Sequence, residues 1–197
     1  MSYPQLSILI PAAGVSQRLG QPKQLLRYRK KTLIENAVDI AHSITPREIV
    51  VVTGANAETV KDAIQSVPVR WIHNPNWSAG MGGSIATGAA GISPESTGLM
   101  ILLCDQWRLQ TSDLQNLAEK WQSDPERIVC AKADGQLMPP VIFPASCFSN
   151  LQALNGDFGA RSILENHSEL LVAVASKNAA YDVDTPIQLS QLKNTDL

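Results

Sequence analysis

The 197 residues, 44% of them hydrophobic and 17% charged, are enough for one sizeable core and too apolar for a disordered chain. A formal net charge of −2 argues against a nucleic-acid surface or a polybasic membrane patch, and no apolar run is long enough to cross a bilayer. The 3 cysteines lie far apart with no C-x-x-C among them, which argues against zinc and a disulfide framework.

The opening MSYPQ has no basic segment leading into an apolar one, so a cytoplasmic protein is expected. The stretch SILIPAAGVSQRLGQPKQLL, Ser7 to Leu26, then sets the theme. Ile8, Leu9 and Ile10 form a short apolar strand, broken by Pro11, Gly14, Gly20 and Pro22, with Arg18 and Lys23 among the breaks. In an α/β protein such a loop builds an anion site. Ala12, Ala13 and Gly14 have almost no side chain to keep a phosphate from the loop N–H groups, and the two cations neutralise the rest of its charge. Neither G-x-x-x-x-G-K-[ST] nor G-x-G-x-x-G is present, which counts against a P-loop kinase and a simple dinucleotide dehydrogenase. An ordinary strand-to-helix loop with solvated cations fits the spacing as well.

Thr32 to Ala41 reads as a helix, with Leu33, Ala37 and Ile40 or Ala41 on one face and Thr32 and Glu35 as a start signal. Glu48 to Thr53 is a β-branched run typical of a buried parallel strand. Asn56 is placed to cap a helix through Gln65, with Val60, Ala63 and Ile64 inward, and Val69 to Ile72 is a further strand. Strand and helix patterns alternating at this spacing predict a mostly parallel sheet.

Next, Asn74 to Ile85 ends in Gly80, Gly82 and Gly83, and a small-residue helix follows from Ser84. Glycine is costly at a helix start unless a nucleobase or phosphate must approach closely, or unless the helix packs tightly on the sheet. Leu99 to Asp105 reads as the central strand, apolar throughout and ending on one carboxylate. An Asp outside the carboxyl end of such a strand suits Mg²⁺ held with phosphate oxygens, or else a capped turn. Thr111 or Ser112 starts the next helix, with Ser112 and Gln115 as a capping box and Leu114, Leu117, Ala118 and Trp121 inward.

Ile128 to Ala133, the turn at Asp134-Gly135 and Gln136 to Phe143 predict a hairpin, hence a small antiparallel portion; Pro139-Pro140 then implies an edge or a bulge. Leu154 to Arg161 is a turn entering a helix through Glu165. Leu170 to Ala175 is a strand. Asp182 and Asp184 point the same way in extended chain, and Thr185 and Pro186 open a last helix, Ile187 to Leu192. His42, His73 and His167 share no ligand spacing, and the tryptophans form no stacking array for nucleic acid.

The segment AAG-x-S-x-R-x-G-x-x-K, Ala12 to Lys23, resembles the signature loop of the nucleotidyltransferases, and more narrowly of the MocA/MobA-like group that makes molybdenum-cofactor dinucleotides. Further blocks follow in order: Gly80-Met81 through Ser84 to Gly88, Asp105-Gln106, the G-D-x-G-A-R at Gly156 to Arg161, and the D-x-D-T-P at Asp182 to Pro186. The resemblance implies a Rossmann-like three-layer α/β/α sandwich of the nucleotide-diphospho-sugar transferase type, with residues 1–197 as one domain. It assigns nucleotide binding to Ala12, Ala13, Gly14, Arg18, Lys23, Gly80, Gly82, Gly83 and Ser84, and metal binding (Mg²⁺) to Asp105 and Asp184, with Asp182 a further candidate. Arg18, Lys23 and Asp105 are the implied catalytic groups; Gln106, Asp157 and Arg161 fall on the acceptor side. The implied substrates are a nucleoside triphosphate, CTP by the AAG form of the loop, and a molybdopterin-type acceptor, with a molybdoenzyme as a candidate partner. A sugar- or polyol-phosphate nucleotidyltransferase and a non-catalytic carrier of a nucleotide-bearing cofactor are the alternatives. Pro11, Arg27, Lys30-Lys31 and Trp107 depart from the family pattern, and Trp107, where Pro is usual, leaves the shape of the acceptor side open.

Overall fold

The computed structural model describes residues 2–64, 67–157 and 159–195. Strand β1 (Tyr3–Pro11) leads through a loop to the short hairpin β2 (Arg27–Tyr28) and β3 (Lys31–Thr32), helix α1 (Leu33–Ser43) and β4 (Pro46–Thr53). Then come α2 (Ala57–Asp62), β5 (Arg70–His73), α3 (Met81–Gly91), β6 (Gly98–Ile101) and α4 (Thr111–Ser123). The hairpin β7 (Ile128–Ala133) and β8 (Gln136–Pro144), the short helices α5 (Phe148–Gln152) and α6 (Arg161–Asn166), β9 (Leu171–Ala175) and α7 (Pro186–Thr195) complete it.

Seven strands form one sheet in the order β5-β4-β1-β6-β8-β7-β9. All neighbours are parallel except β8, which runs against both β6 and β7. The antiparallel portion is thus a single reversed strand inside the sheet. Pro139 and Pro140 lie in β8 where its register with β7 shifts, Cys130 facing Val141 but Ala131 facing Met138. They mark a bulge and not an edge.

Alternate residues of the central strands feed two cores. Ile8, Ile10, Val51, Met100 and Ile142 pack under α1 and α4, while Leu9, Val50, Val52, Leu99, Ile101 and Phe143 pack under α3, α5 and α6. Burial on both faces is why these strands read as continuous apolar runs. A smaller third core joins Leu26, Tyr28 and Leu33 to Trp107, Val183 and Leu192.

The expected capping box at α1 is present: Glu35 N–H donates to Thr32 Oγ1, and the Glu35 carboxylate takes the Thr32 N–H at 2.7 Å. Asn56 does not cap α2 with its side chain, and the expected end at Gln65 lies outside the described residues. At α4 the box is built by Gln110 and Asp113, two residues earlier than Ser112 and Gln115. Asp113 wins because it serves two elements: it accepts from Gln110 N–H at 2.9 Å, Ser176 Oγ at 2.9 Å and Asn178 Nδ2 at 2.8 Å. Asp113→Ala leaves these donors without their acceptor, and an apparent loss of about 3 kcal/mol is expected, a fall of about 6–12 °C in melting temperature by calorimetry.

Strand β6 is shorter than its apolar run. Its ladder with β8 ends at the pair Ile101–Val141, and the next residue of β8 is Pro140, which has no N–H to donate. Leu102 N–H still reaches Leu9 O at 3.0 Å, and the chain then turns, so Asp105 sits in a turn beyond the strand.

Candidate functional site

The loop after β1 and the turn after β6 leave adjacent parallel strands at their carboxyl ends. Between β1 and β6 the strand order reverses, and open α/β sheets bind ligands at such a switch point. A cleft with two lobes opens there, and Lys23 and Met81 border both.

The first lobe, about 460 Å³, is walled by Ala13, Gly14, Ser16, Arg18 and Gln24 on one side and by Trp77, Gly80 and Ser84 on the other. Three hydrogen-bond sets hold the loop open. Gln24, almost wholly buried, donates its amide to Ala12 O at 3.1 Å and Gly14 O at 2.8 Å. Ser16, at a left-handed φ of 56°, accepts the Lys23 N–H at 3.1 Å. Ala55 N–H ties Ala13 O to the start of the next crossover at 3.1 Å. Arg18 stands exposed on the rim, where its guanidinium is free to meet an anion. Across the lobe, Ser84 Oγ accepts from Asn74 Nδ2 at 3.1 Å, which leaves its own proton to give.

The glycines divide between the two expectations for them. A Cβ on Gly88 would lie 2.3 Å from Leu9 Cδ1, so this one packs α3 onto the sheet. Gly80 has φ +118°, and a Cβ there would meet the Gly156 backbone at 2.4 Å. Gly82 N–H donates to Gly156 O at 2.9 Å. Gly80 and Gly82 therefore dock the Gly156–Asp157 turn against the start of α3. At Gly83 there is space, the nearest atom being Asn74 Nδ2 at 4.0 Å.

The second lobe, about 400 Å³, is lined by Leu103, Asp105, Gln106, Met138, Pro139, Ala179 and the carboxylates of Asp134, Asp182 and Asp184. Lys23 enters from the loop side. Its ammonium bonds Asp105 and, at 2.6 Å, Asp184 Oδ1. Burial works against this charge, but the two carboxylates outweigh it and push the Lys23 pKa well above the usual lysine value. Asp105 is deeply buried, its side chain 6% exposed, whereas Asp184 is 42% exposed. Asp182 holds Gln188 Nε2 at 2.7 Å; burial, with Asp105 and Asp184 nearby, raises its pKa.

The donors are all carboxylate oxygens, and Asp105 Oδ1 is buried with no hydrogen-bond partner. That chemistry fits a hard divalent cation completed by phosphates and water. Among the described residues no three acidic, histidine or cysteine side chains converge as a ready-made metal site, and Lys23 bridges the Asp105–Asp184 pair.

The structure separates some of the expected site residues. Ala12 is buried behind the loop, bonded to Val52 O and Gln24. Gln106 borders the second lobe, yet its amide is engaged with Pro139 O at 2.6 Å and Ala179 O at 2.8 Å, so it braces the lobe wall. Asp157 borders the first lobe, and the lining of the second does not include it. Arg161, 89% exposed, pairs with Glu165 and faces a separate hollow by Gly135 and Leu137. Trp107 points away into the third core, edge-on to Tyr28 and Tyr181, with Arg108 stacked on its ring and on that of Tyr181. It therefore anchors the segment before Asp182 and does not line the second lobe. Cys104, Cys130 and Cys147 are buried free thiols, and burial raises the pKa of each. Sequence reasoning missed Ser16 and Met81, inside quoted motif blocks, and Gln24, one residue beyond the first block; for Gln24 the signal was a polar residue in the apolar run after Lys23.

A model of the MobA-like NTP transferase domain matches residues 8–170. Nicotine blue oxidoreductase of Paenarthrobacter nicotinovorans is 32% identical over 200 residues, covering 96% of this chain and 97% of that protein. The bifunctional protein GlmU of Legionella pneumophila is 30% identical over 138 residues; the match covers 68% of this chain but only 30% of GlmU. Among solved structures, Rv0371C in complex with manganese from Mycobacterium tuberculosis superimposes with a TM-score of 0.81 at 23% identity, over 97% of this chain and 99% of that one. CMP:2-keto-3-deoxy-manno-octonic acid synthetase complexed with CTP gives 0.74 at 16% identity, over 97% and 98%. No helix among the described residues is long and apolar enough to cross a membrane.

Proposed function

This chain belongs to the MobA-like NTP transferase family, and from that premise we propose that it moves a nucleoside monophosphate from CTP to a phosphate-bearing acceptor of the molybdopterin type, releasing pyrophosphate. The single observation behind the reading is the two-lobed cleft, in which a loop suited to triphosphate meets a carboxylate-lined lobe at Lys23. The AAG form of the loop and the CTP held by a protein of the same fold support CTP as donor. We take residues 1–197 as one domain acting in the cytoplasm.

In this reading an acceptor phosphate oxygen attacks the α-phosphorus; the bond to the β-phosphate breaks, and pyrophosphate leaves with that electron pair. The protein supplies alignment and charge. The loop amides beside Ala13 and Gly14 cradle the phosphates, Arg18 closes over them from the rim, and Ser84 with the open face at Gly83 frames the base or sugar. Asp105 and Asp184 would hold Mg²⁺, which when bound neutralises phosphate charge and fixes the oxygens of donor and acceptor. The acceptor lobe needs such a cation. Asp105, Asp134, Asp182 and Asp184 line the lobe together with Lys23, its cationic side chain, and an anionic acceptor meets their field.

Gln24 orders the loop without reaching into the reaction. Gln24→Leu removes two bonds that fix it, and a rise of about tenfold in KM for nucleotide is expected with kcat changed less than about threefold, measured by steady-state kinetics.

The name of the 32% identical relative gives a second reading, oxidoreductase chemistry in the same cleft. One assay separates the readings: pyrophosphate release with Mg²⁺ and CTP, GTP or ATP, with and without molybdenum-loaded molybdopterin, beside nicotinamide-dinucleotide oxidation. Acceptor-dependent release with CTP supports the proposal. Nucleotide binding without release favours a carrier, release with another acceptor favours a sugar- or polyol-phosphate transferase, and dinucleotide oxidation favours the second reading.

A further inference from the structure

Lys23 belongs to the phosphate loop, yet its ammonium is engaged elsewhere. It bridges Asp105 and Asp184, the two side chains read above as the metal pair. A divalent cation placed on those carboxylates would stand against the ammonium, and two like charges in a partly buried site repel strongly. One of them must leave. The means is present: Lys23 borders both lobes, its backbone N–H is pinned to Ser16 Oγ at 3.1 Å, and its four-carbon stem turns without moving the loop. Asp105 Oδ1, buried and without a partner, offers the incoming cation a vacant first ligand.

We propose that Lys23 is the resident counter-ion of the Asp105–Asp184 pair, occupying the cation's place until a bound triphosphate draws its ammonium into the loop lobe, so that metal loads together with nucleotide and not ahead of it. This rests on Asp105 and Asp184 being the metal-holding pair. In nucleotide-free protein Lys23 offsets part of the pair's charge and occupies the cation's place, which keeps the affinity for free divalent cations low. When nucleotide enters, Lys23 exchanges two carboxylates for phosphate oxygens, and the carboxylates become available in the same step.

The test is a count of bound Mn²⁺ by electron paramagnetic resonance on nucleotide-free protein. Lys23→Met keeps the stem and removes the charge; its Mn²⁺ affinity is expected to exceed that of the wild type by about tenfold or more. An affinity equal to or below the wild type overturns the inference. Asp105→Asn in the Lys23→Met background is expected to abolish the gain. A gain that survives in the double variant overturns the assignment of Asp105 as a ligand, and the inference with it. If wild-type Mn²⁺ binding is lost in Asp105→Asn alone while Lys23→Met shows no gain, the metal reading stands and the counter-ion fails by itself. Wild-type protein gives a measurement independent of folding in the variants. Acylation of Lys23, followed by mass spectrometry, is expected to stay unchanged when millimolar Mg²⁺ is added without nucleotide and to change severalfold when CTP is added with it, because only nucleotide moves the ammonium off the carboxylates. Labelling that Mg²⁺ alone changes severalfold, or that CTP with Mg²⁺ leaves unchanged, overturns the inference.

Discussion

Asp105→Asn is expected to lower pyrophosphate release by about a thousandfold or more while leaving the protein folded. Asp105 is the better buried of the two carboxylates that face Lys23, and its Oδ1 is the unpartnered oxygen of the lobe. An amide in its place keeps the shape but has neither the charge nor the second acceptor oxygen that a cation requires. The fold tolerates the change because Lys23 keeps its bond to Asp184 at 2.6 Å. Asp184→Asn is expected to cost less, since that carboxylate is 42% exposed and water substitutes for part of its role. The check is single-turnover release with a thermal melt of each variant. Near-normal release by Asp105→Asn would remove Asp105 from the reaction.

Gly80→Ala is expected to destabilise the protein by several degrees and to weaken nucleotide binding by more than about tenfold, whereas Gly83→Ala separates these effects. At Gly80 the backbone has φ +118°, which an L side chain rarely adopts, and the added carbon would meet Gly156 C and O at 2.4 Å. The docked turn must move, and with it Asp157 and the start of α3. Gly83 has room, so alanine there stabilises the helix by about 0.5–1 kcal/mol. If nucleotide lies against this face, Gly83→Ala binds it more weakly while melting higher. Calorimetric melts and equilibrium binding of CTP give both quantities, and equal CTP affinity in Gly83→Ala and wild type would take the nucleotide away from the start of α3.

Local patterns in the chain revealed the sheet and most helices because burial on both faces leaves an unbroken apolar signal, as in Leu99–Leu103, and because Thr32 and Glu35 announce α1 a turn apart. Other features depend on distant partners. The reversal of β8 next to β6 follows from pairing across the sheet, and nothing near Pro139-Pro140 distinguishes an internal bulge from an edge. The same holds in the site. The loop residues were legible from their small size and spacing, but Lys23 reads as a phosphate ligand until the fold brings Asp105 and Asp184 to its ammonium. Gln106 and Arg161 sit inside motif blocks, yet one braces two backbone carbonyls and the other faces outward. Motif membership gave them a neighbourhood and no direction.

The carboxylate pair is mounted on parts of unequal tenacity. Asp105 follows a strand set in the main cores, while the segment with Asp182 and Asp184 is fastened through Val183, Trp107 and Leu192 to the small third core. Such a satellite core opens at lower free energy than a central sheet, and does so alone. Heat or a weakening substitution at Val183 or Leu192 is therefore expected to free this segment at a temperature where the sheet is still intact, so that loss of pyrophosphate release comes before the global melt.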